Sequence, residues 1–316
     1  MTQLKFVTLD VFTTKTFSGN QLAVVFLPED ESVTLTQRQK HTITLEYNLS
    51  ETIFVHPVRQ QDKRTIDIFT IEGEIPFAGH PTIGAASWFL CHAADSAKGS
   101  GVTTLVTKSG EIPISIINPA SQAVQAQIAH NTRIHASRYA LQDLLYLHPT
   151  LAPYFPDPAT TFPLFSIVNG MSQTFIELPS LEALAAVPRA TGGELVPVER
   201  HLDEGWQSGL ICVYFFVRDV EDSVMQQKVI RTRMMLGGLE DPATGSSASG
   251  LASYLALTEG QAGQEYRYHF VQGVEMGRRS DIGVGVTLNA NRKIEQVLLT
   301  GTAVRVSEGL ISVPEV

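Results

Sequence analysis

The feature that most constrains this chain of 316 residues is a repeat inside it. Glu74-Ile75-Pro76-Phe77-Ala78-Gly79-His80-Pro81-Thr82-Ile83-Gly84-Ala85-Ala86-Ser87-Trp88 aligns without a gap on Glu240-Asp241-Pro242-Ala243-Thr244-Gly245-Ser246-Ser247-Ala248-Ser249-Gly250-Leu251-Ala252-Ser253-Tyr254. Glu, Pro, Gly, Gly, Ala and Ser coincide, an aromatic residue closes both, and the offset from Pro76 to Pro242 is 166. Further landmarks recur in the same order. Gly19 followed by Leu27-Pro28 mirrors Gly170 followed by Leu178-Pro179, and Asn48-Leu49 before Ile53-Phe54-Val55 mirrors Gly209-Leu210 before Tyr214-Phe215-Phe216. Ser109-Gly110-Glu111 has a looser echo in Gln272-Gly273-Val274-Glu275. Self-similarity of this kind marks a duplicated structural plan.

Each copy reads as a sheet with one internal helix. Phe6–Phe12, Gln21–Leu27, Glu51–His56 and Thr65–Thr70 are β-rich runs, and Thr34–Tyr47 reads as a helix with Thr36 as N-cap. Pro81 to about Ala94, and its counterpart Ser246 to Thr258, have no polar face. A helix that is apolar all round is buried all round, so each copy is expected to wrap a sheet around a single helix. The crossover between copies is expected within Asn118–Thr160, with no long Gly/Ser linker. A chain of this length accommodates two domains, here 1–130 and 131–316, with the last strand free to return to the first.

Composition narrows the function. Hydrophobic residues are 43% and charged residues 17%, which excludes disorder and coiled coil. A net charge of −9 argues against nucleic acid and anionic membrane as partners. The longest apolar run, Leu210–Val217, is far below the ~20 residues that span a bilayer. Met1–Val7 lacks the apolar core of a signal peptide, and two cysteines, Cys91 and Cys212, make no disulfide framework. A cytoplasmic location is expected.

The chemistry is expected where the two internal helices begin. Ala78-Gly79-His80 and Thr244-Gly245-Ser246 each enter a helix whose first N–H groups lack partners and whose dipole is positive there. Such an end either carries a plain cap or receives a carboxylate or phosphate. Phosphate-loop and nucleophile-elbow readings fail, because Leu251 stands where lysine is needed and Gly245–Ser249 has no Gly-x-Ser-x-Gly. No metal-ligand spacing is present, and Cys91-His92 is isolated. His80 and Asp241 stand at the two entrances as acid/base candidates. Glu51, at the start of an apolar strand, is either solvated at a loop edge or held in a cleft with a raised pKa; spacing alone favours the first.

Phe17-Ser18-Gly19-Asn20-Gln21-Leu22-Ala23-Val24, Asn48-Leu49-Ser50-Glu51-Thr52, Pro76-Phe77-Ala78-Gly79-His80-Pro81 and Glu240-Asp241-Pro242-Ala243-Thr244-Gly245-Ser246 resemble the signatures of the phenazine-biosynthesis PhzF-like isomerase family, over nearly the whole chain. The resemblance implies an α/β (α+β) fold of two pseudo-symmetric diaminopimelate epimerase-like domains, each a curled mixed sheet around a central helix, with the active site between them. It implies a cofactor-independent isomerase, without pyridoxal phosphate or metal, acting on a small carboxylate as a homodimer. By position, Glu51 matches the family's general acid/base, and His80 and Asp241 match its polar catalytic pair. Asn20, Gly79, Thr244, Gly245 and Ser246 match substrate contacts. Arg278 falls in a recurring family segment without a derived role. The epimerase branch carries cysteines at the helix entrances, where this chain has none, so a proton shift by one carboxylate is preferred to epimerisation. A catalytically silent metabolite-binding protein of the same fold, or an amino-acid epimerase, are the alternatives. Substrate choice would come from loops such as Ala190–Trp206.

Overall fold

A computed structural model describes residues 2–30, 34–93, 101–188 and 193–315. The chain divides into two compact units, Met1–Ile128 with Leu299–Val316, and Ala129–Leu298. The first contains strands β1 (Gln3–Val11), β2 (Asn20–Phe26), β3 (Thr52–Val55), β4 (Lys63–Thr70), β5 (Gly73–Ile75), β6 (Thr104–Thr107), β7 (Gly110–Asn118) and β8 (Ala123–Gln127). It also contains helices α1 (Gln37–Tyr47) and α2 (Gly79–Ser87). In the second lie β9 (Arg133–Ala140), α3 (Leu141–Leu147), β10 (Thr161–Val168), β11 (Met171–Glu177), α4 (Leu181–Ala185) and α5 (Val198–His201). These are followed by β12 (Leu210–Asp222), β13 (Gln227–Leu236), β14 (Leu239–Asp241), α6 (Gly245–Glu259), β15 (Glu265–Gln272) and β16 (Ser280–Leu288). After β17 (Ile294–Gly301), the last strand β18 (Ala303–Ser312) belongs to the first unit.

The two units repeat one topology. In the first, β1–β2 is antiparallel, β2–β3 parallel, β3–β4 and β4–β5 antiparallel, β4–β6 parallel and β6–β7 antiparallel. In the second, β10–β11, β11–β12, β12–β13, β13–β14, β13–β15 and β15–β16 run in the same order of senses. The remaining edge of β1 is taken by β18 and that of β10 by β9, both antiparallel. The helices of the duplicated segment start at Gly79 and Gly245, again 166 apart.

Each sheet encloses its helix because the helix has no polar stripe to turn outward. All nine residues of α2 are buried, and α2 packs on β1, β2, β6, β8 and β18. In the second unit α6 packs on β10, β11, β15 and β16. Close approach requires glycine at equivalent places. A Cβ on Gly84 would stand 2.4 Å from Leu22 Cδ2 and 3.0 Å from Val11 Cγ2, and one on Gly250 would stand 2.6 Å from Gln173 Oε1.

Other elements cover the outer faces. The capping box between Thr36 and Gln39 starts α1, and Asn48, left-handed at φ 50°, ends it. Ile43 of α1 joins Leu4, Val25, Phe54 and Phe69 in a core layer beneath the sheet. In the second unit, Leu141 and Leu144 of α3 and Leu184 of α4 share a core with Val213 and Phe215 of β12. The apolar run Leu210–Val217 is therefore a central strand covered on both faces, the situation that removes alternation. No helix among the described residues is long and apolar enough to cross a membrane.

Both boundaries of α2 differ from the sequence reading. α2 begins at Gly79 rather than Pro81, with Ala78 as N-cap. Proline is tolerated at the third helical position because the N–H groups of the first turn have no intrahelical acceptor. The α-helix then stops at Ser87 and Trp88–His92 forms a π-turn; Ala94 lies outside the described residues. The segment Ala190–Trp206, read as a loop, contains the short helix α5, and its residues 190–192 also lie outside the described residues.

Replacing Gly84 by alanine adds helix propensity of ~1 kcal/mol but overpacks the Leu22–Val11 contact by ~1–3 kcal/mol. The expected outcome in urea unfolding is a net loss of about 1 kcal/mol, the middle of a range of about 0–2 kcal/mol.

Candidate active site

The first helix entrance is assembled from three loops. Between β1 and β2, Asp10 Oδ2 accepts the Phe17 N–H at 2.6 Å, and the chain re-enters the sheet through Gly19 at φ +66°. A Cβ on Gly19 would stand 2.2 Å from Val11 O, so only glycine permits this crossing. The crossing sets Asn20 at the start of β2 with 3% exposure. After α1, the left-handed Asn48 turns the chain so that Ser50 and Glu51 precede β3. The third loop enters α2, where Ala78 has no side chain with which to cap and His80 is 3% exposed.

These loops bring Asn20, Ser50, Glu51 and His80 together. Ser50 Oγ donates to Asn20 Oδ1 at 3.4 Å, and Asn20 Nδ2 donates to His80 Nδ1 at 3.3 Å. Glu51 Oε2 lies 3.5 Å from the same ring nitrogen, with the glutamate side chain 17% exposed. The amide orientation that satisfies Ser50 makes His80 Nδ1 an acceptor, so the neutral ring carries its proton on Nε2. Glu51 Oε2 is buried and has no hydrogen-bond partner. Removal from water disfavours the ionised form, and this burial raises the Glu51 pKa from 4.5 to about 7; the nearby Ser50 hydroxyl opposes the shift and the Glu72 charge adds to it. Glu51 is thus buried and not solvated at a loop edge.

The second helix entrance has a different character. Thr244 is the N-cap of α6, with Gly245 and Ser246 in its first turn. Thr244 Oγ1 donates to Asp241 Oδ2 at 2.6 Å, so these two residues of the motif are coupled. Gln272 reaches both, through Nε2 to Asp241 O at 2.7 Å and to Thr244 Oγ1 at 2.9 Å. Ala23 pairs with Thr52 in the first unit and Thr174 with Val213 in the second, so Cys212 occupies the register of Glu51. Burial first, then the Asp241 charge, pushes the Cys212 thiol up to about 12, while Ser247 opposes the shift. At neutral pH that sulfur is a buried thiol and not a base.

A second constellation has the look of a triad and not its chemistry. His135 Nε2 lies 2.8 Å from Ser166 Oγ, and the Asp203 N–H donates to His135 Nδ1 at 3.1 Å. With Nδ1 accepting, Nε2 carries the proton and donates to serine, so this ring cannot take the serine proton. Ser166 is fully buried and bonded to Ser172 at 2.6 Å. Among the described residues no group of three or more His, Cys, Asp or Glu side chains is placed to hold a metal ion.

Sequence reasoning passed over Ser50 and gave Gln272 no role. Both were inside quoted segments, but hydrogen bonds reaching 30 and 28 positions along the chain leave no local pattern. Arg278 closes a turn by donating its N–H to Gly273 O at 2.9 Å.

A doubly repeated sheet around a buried helix, entered through Gly-His-Pro in one unit and Asp-Pro-x-Thr-Gly-Ser in the other, defines a class of isomerases and epimerases. The chain matches the family described as phenazine biosynthesis-like protein over residues 9–309, and it belongs to that PhzF family. It is 30% identical over 309 residues to trans-2,3-dihydro-3-hydroxyanthranilate isomerase of Pseudomonas chlororaphis, covering 97% of this chain and 98% of the relative. In fold it is similar to a Bacillus anthracis phenazine biosynthesis protein of the PhzF family, with TM-score 0.76, 22% identity, and coverage of 99% and 100%. A hydroxyproline epimerase from Agrobacterium vitis shares the fold with TM-score 0.60, 14% identity, and coverage of 98% and 92%. The expected fold class is borne out, and the chain is an isomerase of this family.

The Glu51 pKa has a stability consequence. Between pH 4.5 and about 7 the folded chain holds a proton on Glu51 that the unfolded chain releases, so folding loses stability as pH rises through this window. At pH 8 the cost approaches ~3 kcal/mol. Glu51→Gln is therefore expected to unfold at higher denaturant than the parent at pH 8, with the difference shrinking as pH falls to 4.5. Paired urea titrations at the two pH values measure it.

Proposed function

We propose that this chain moves a proton between two carbons of a small carboxylate-bearing metabolite, with Glu51 as the single acid/base and no cofactor. One observation carries the reading: Glu51 Oε2 is buried without a hydrogen-bond partner beside His80, in the loop cluster where α2 begins, and titrates at about 7. A group with that pKa is substantially present in both protonation states near neutral pH, which a residue that takes and returns the same proton requires. His80, held by Asn20, is assigned to polarise the substrate through the Nε2–H, and the α2 dipole to stabilise the developing anion. Asp241, Thr244, Gly245 and Ser246 are assigned to binding the substrate's polar groups. A proton taken and returned by one carboxylate stays on one face of the substrate, so the product is a double-bond isomer. A two-base epimerase would need a second base, and the buried neutral thiol of Cys212 does not supply one.

The P. chlororaphis relative's named substrate supplies a probe. Trans-2,3-dihydro-3-hydroxyanthranilate and a panel of small unsaturated carboxylic acids are incubated in D2O and followed by NMR. The parent chain is expected to isomerise at least one acid with deuterium incorporation, before and after thiol alkylation. Glu51→Gln is expected to lower kcat/KM by ~100-fold or more, the scale of a lost general acid/base. Binding without exchange in the parent identifies the silent metabolite-binding protein. Full activity in Glu51→Gln contradicts the assignment of the base.

A further inference from the structure

We infer that Gln272 is a positioning residue that sets the direction of the Thr244 hydroxyl and thereby holds the Asp241 carboxylate; the inference rests on the assignment of Asp241 to substrate binding. Gln272 ends β15, 1% exposed, and its side-chain amide has a partner at every position described below. Oε1 accepts the Thr244 backbone N–H at 3.3 Å and lies 3.1 Å from the Tyr214 hydroxyl. Nε2 donates to Asp241 O at 2.7 Å and to Thr244 Oγ1 at 2.9 Å. The two backbone partners fix which end of the amide is which, because an N–H can meet only the oxygen and a C=O only the nitrogen.

That orientation has a chemical result. Nε2 delivers a proton to Thr244 Oγ1, so the hydroxyl cannot also donate toward Gln272. Its own proton goes to Asp241 Oδ2, 2.6 Å away. The amide thus clamps both backbone ends of Asp241–Thr244 and, through one hydroxyl, supplies the carboxylate with a donor. The packing is built around the same clamp. Gly273, at φ +73°, lies where a Cβ would stand 2.6 Å from Pro242 O and 2.5 Å from Arg278 O, so the turn after Gln272 presses on the loop it holds. In the first unit Thr107, at the matching end of β6, bonds instead to Ser109 and Gly110 in its own turn. The network accounts for an entrance in which Thr244, although the N-cap, does not cap its own helix with its side chain.

Asp241's own titration, read by NMR on the full chain carrying 13C-labelled aspartate and assigned with Asp241→Asn, tests the inference without any substrate. Of the titratable groups that face Asp241, Cys212 and Tyr214 of β12 are held neutral by burial through the range scanned. Gln272→Met keeps the length and removes the amide, so nothing directs the Thr244 hydroxyl toward Asp241. Asp241 is then expected to titrate about half a pH unit higher. Thr244→Val removes this donor outright and is expected to raise the Asp241 titration by about one pH unit, since a hydrogen bond to a charged group is worth that much. Gln272→Met added to Thr244→Val is expected to raise it clearly less than Gln272→Met does in the parent. Equal shifts in both backgrounds, or an unchanged titration in folded Gln272→Met, overturn the inference. If Gln272→Met does not fold, Gln272→Leu takes its place, with the same rise expected and no rise overturning it. Failure of the parent to isomerise any acid would end the isomerase reading and leave these titrations unaffected.

Discussion

The chemistry proposed for this fold depends on one carboxylate being kept from water. An isolated ionised carboxylate in an apolar site is among the most costly groups a fold can hold, and it resolves the cost by keeping its proton to higher pH. Glu51 is in that state because every neighbouring element is fixed by something else. Thr52, the next residue, begins a strand buried along its whole length. Asn48 turns the chain in the left-handed region, and Gly19 passes Val11 O more closely than any side chain would allow, which sets Asn20 at the start of β2. His80 stands on a helix that cannot rotate, since all its faces are buried. None of these constraints involves the glutamate itself, so its burial is imposed on it.

Duplication has used one scaffold for two kinds of polar site. At matching positions the first unit places Leu22, Glu51 and Ile53 toward its helix, and the second places Gln173, Cys212 and Tyr214. The first leaves a carboxyl oxygen without a partner. The second links Tyr214, Gln272, Thr244 and Asp241 in a chain of hydrogen bonds. A group poised to exchange a proton needs spare hydrogen-bonding capacity, whereas a group meant to hold a fixed position needs that capacity filled. The two entrances differ in this respect.

Much of the fold was legible because its signals are local or periodic. The offset of 166 located both internal helices, their lack of a polar face gave their burial, and Thr36 as N-cap gave the start of α1. Pro81 misplaced the first turn of α2 by two residues, since proline is compatible with several positions there. The site was less legible. Glu51 read alone favours solvent, because its burial depends on residues distant in the chain, His80 among them. The amide of Gln272 left no trace in spacing at all, and a triad-like grouping of Asp203, His135 and Ser166 forms from residues that share no motif.

Difference infrared spectroscopy of the carboxyl stretch, comparing the parent chain with Glu51→Gln across pH, reads the protonation of this one residue without substrate or denaturant. The account requires a protonated carboxyl band that is assigned to Glu51 and disappears with a midpoint near 7. A midpoint at the ordinary value of 4.5 would mean that Glu51 is solvated, and would contradict both its placement and the chemistry assigned to it.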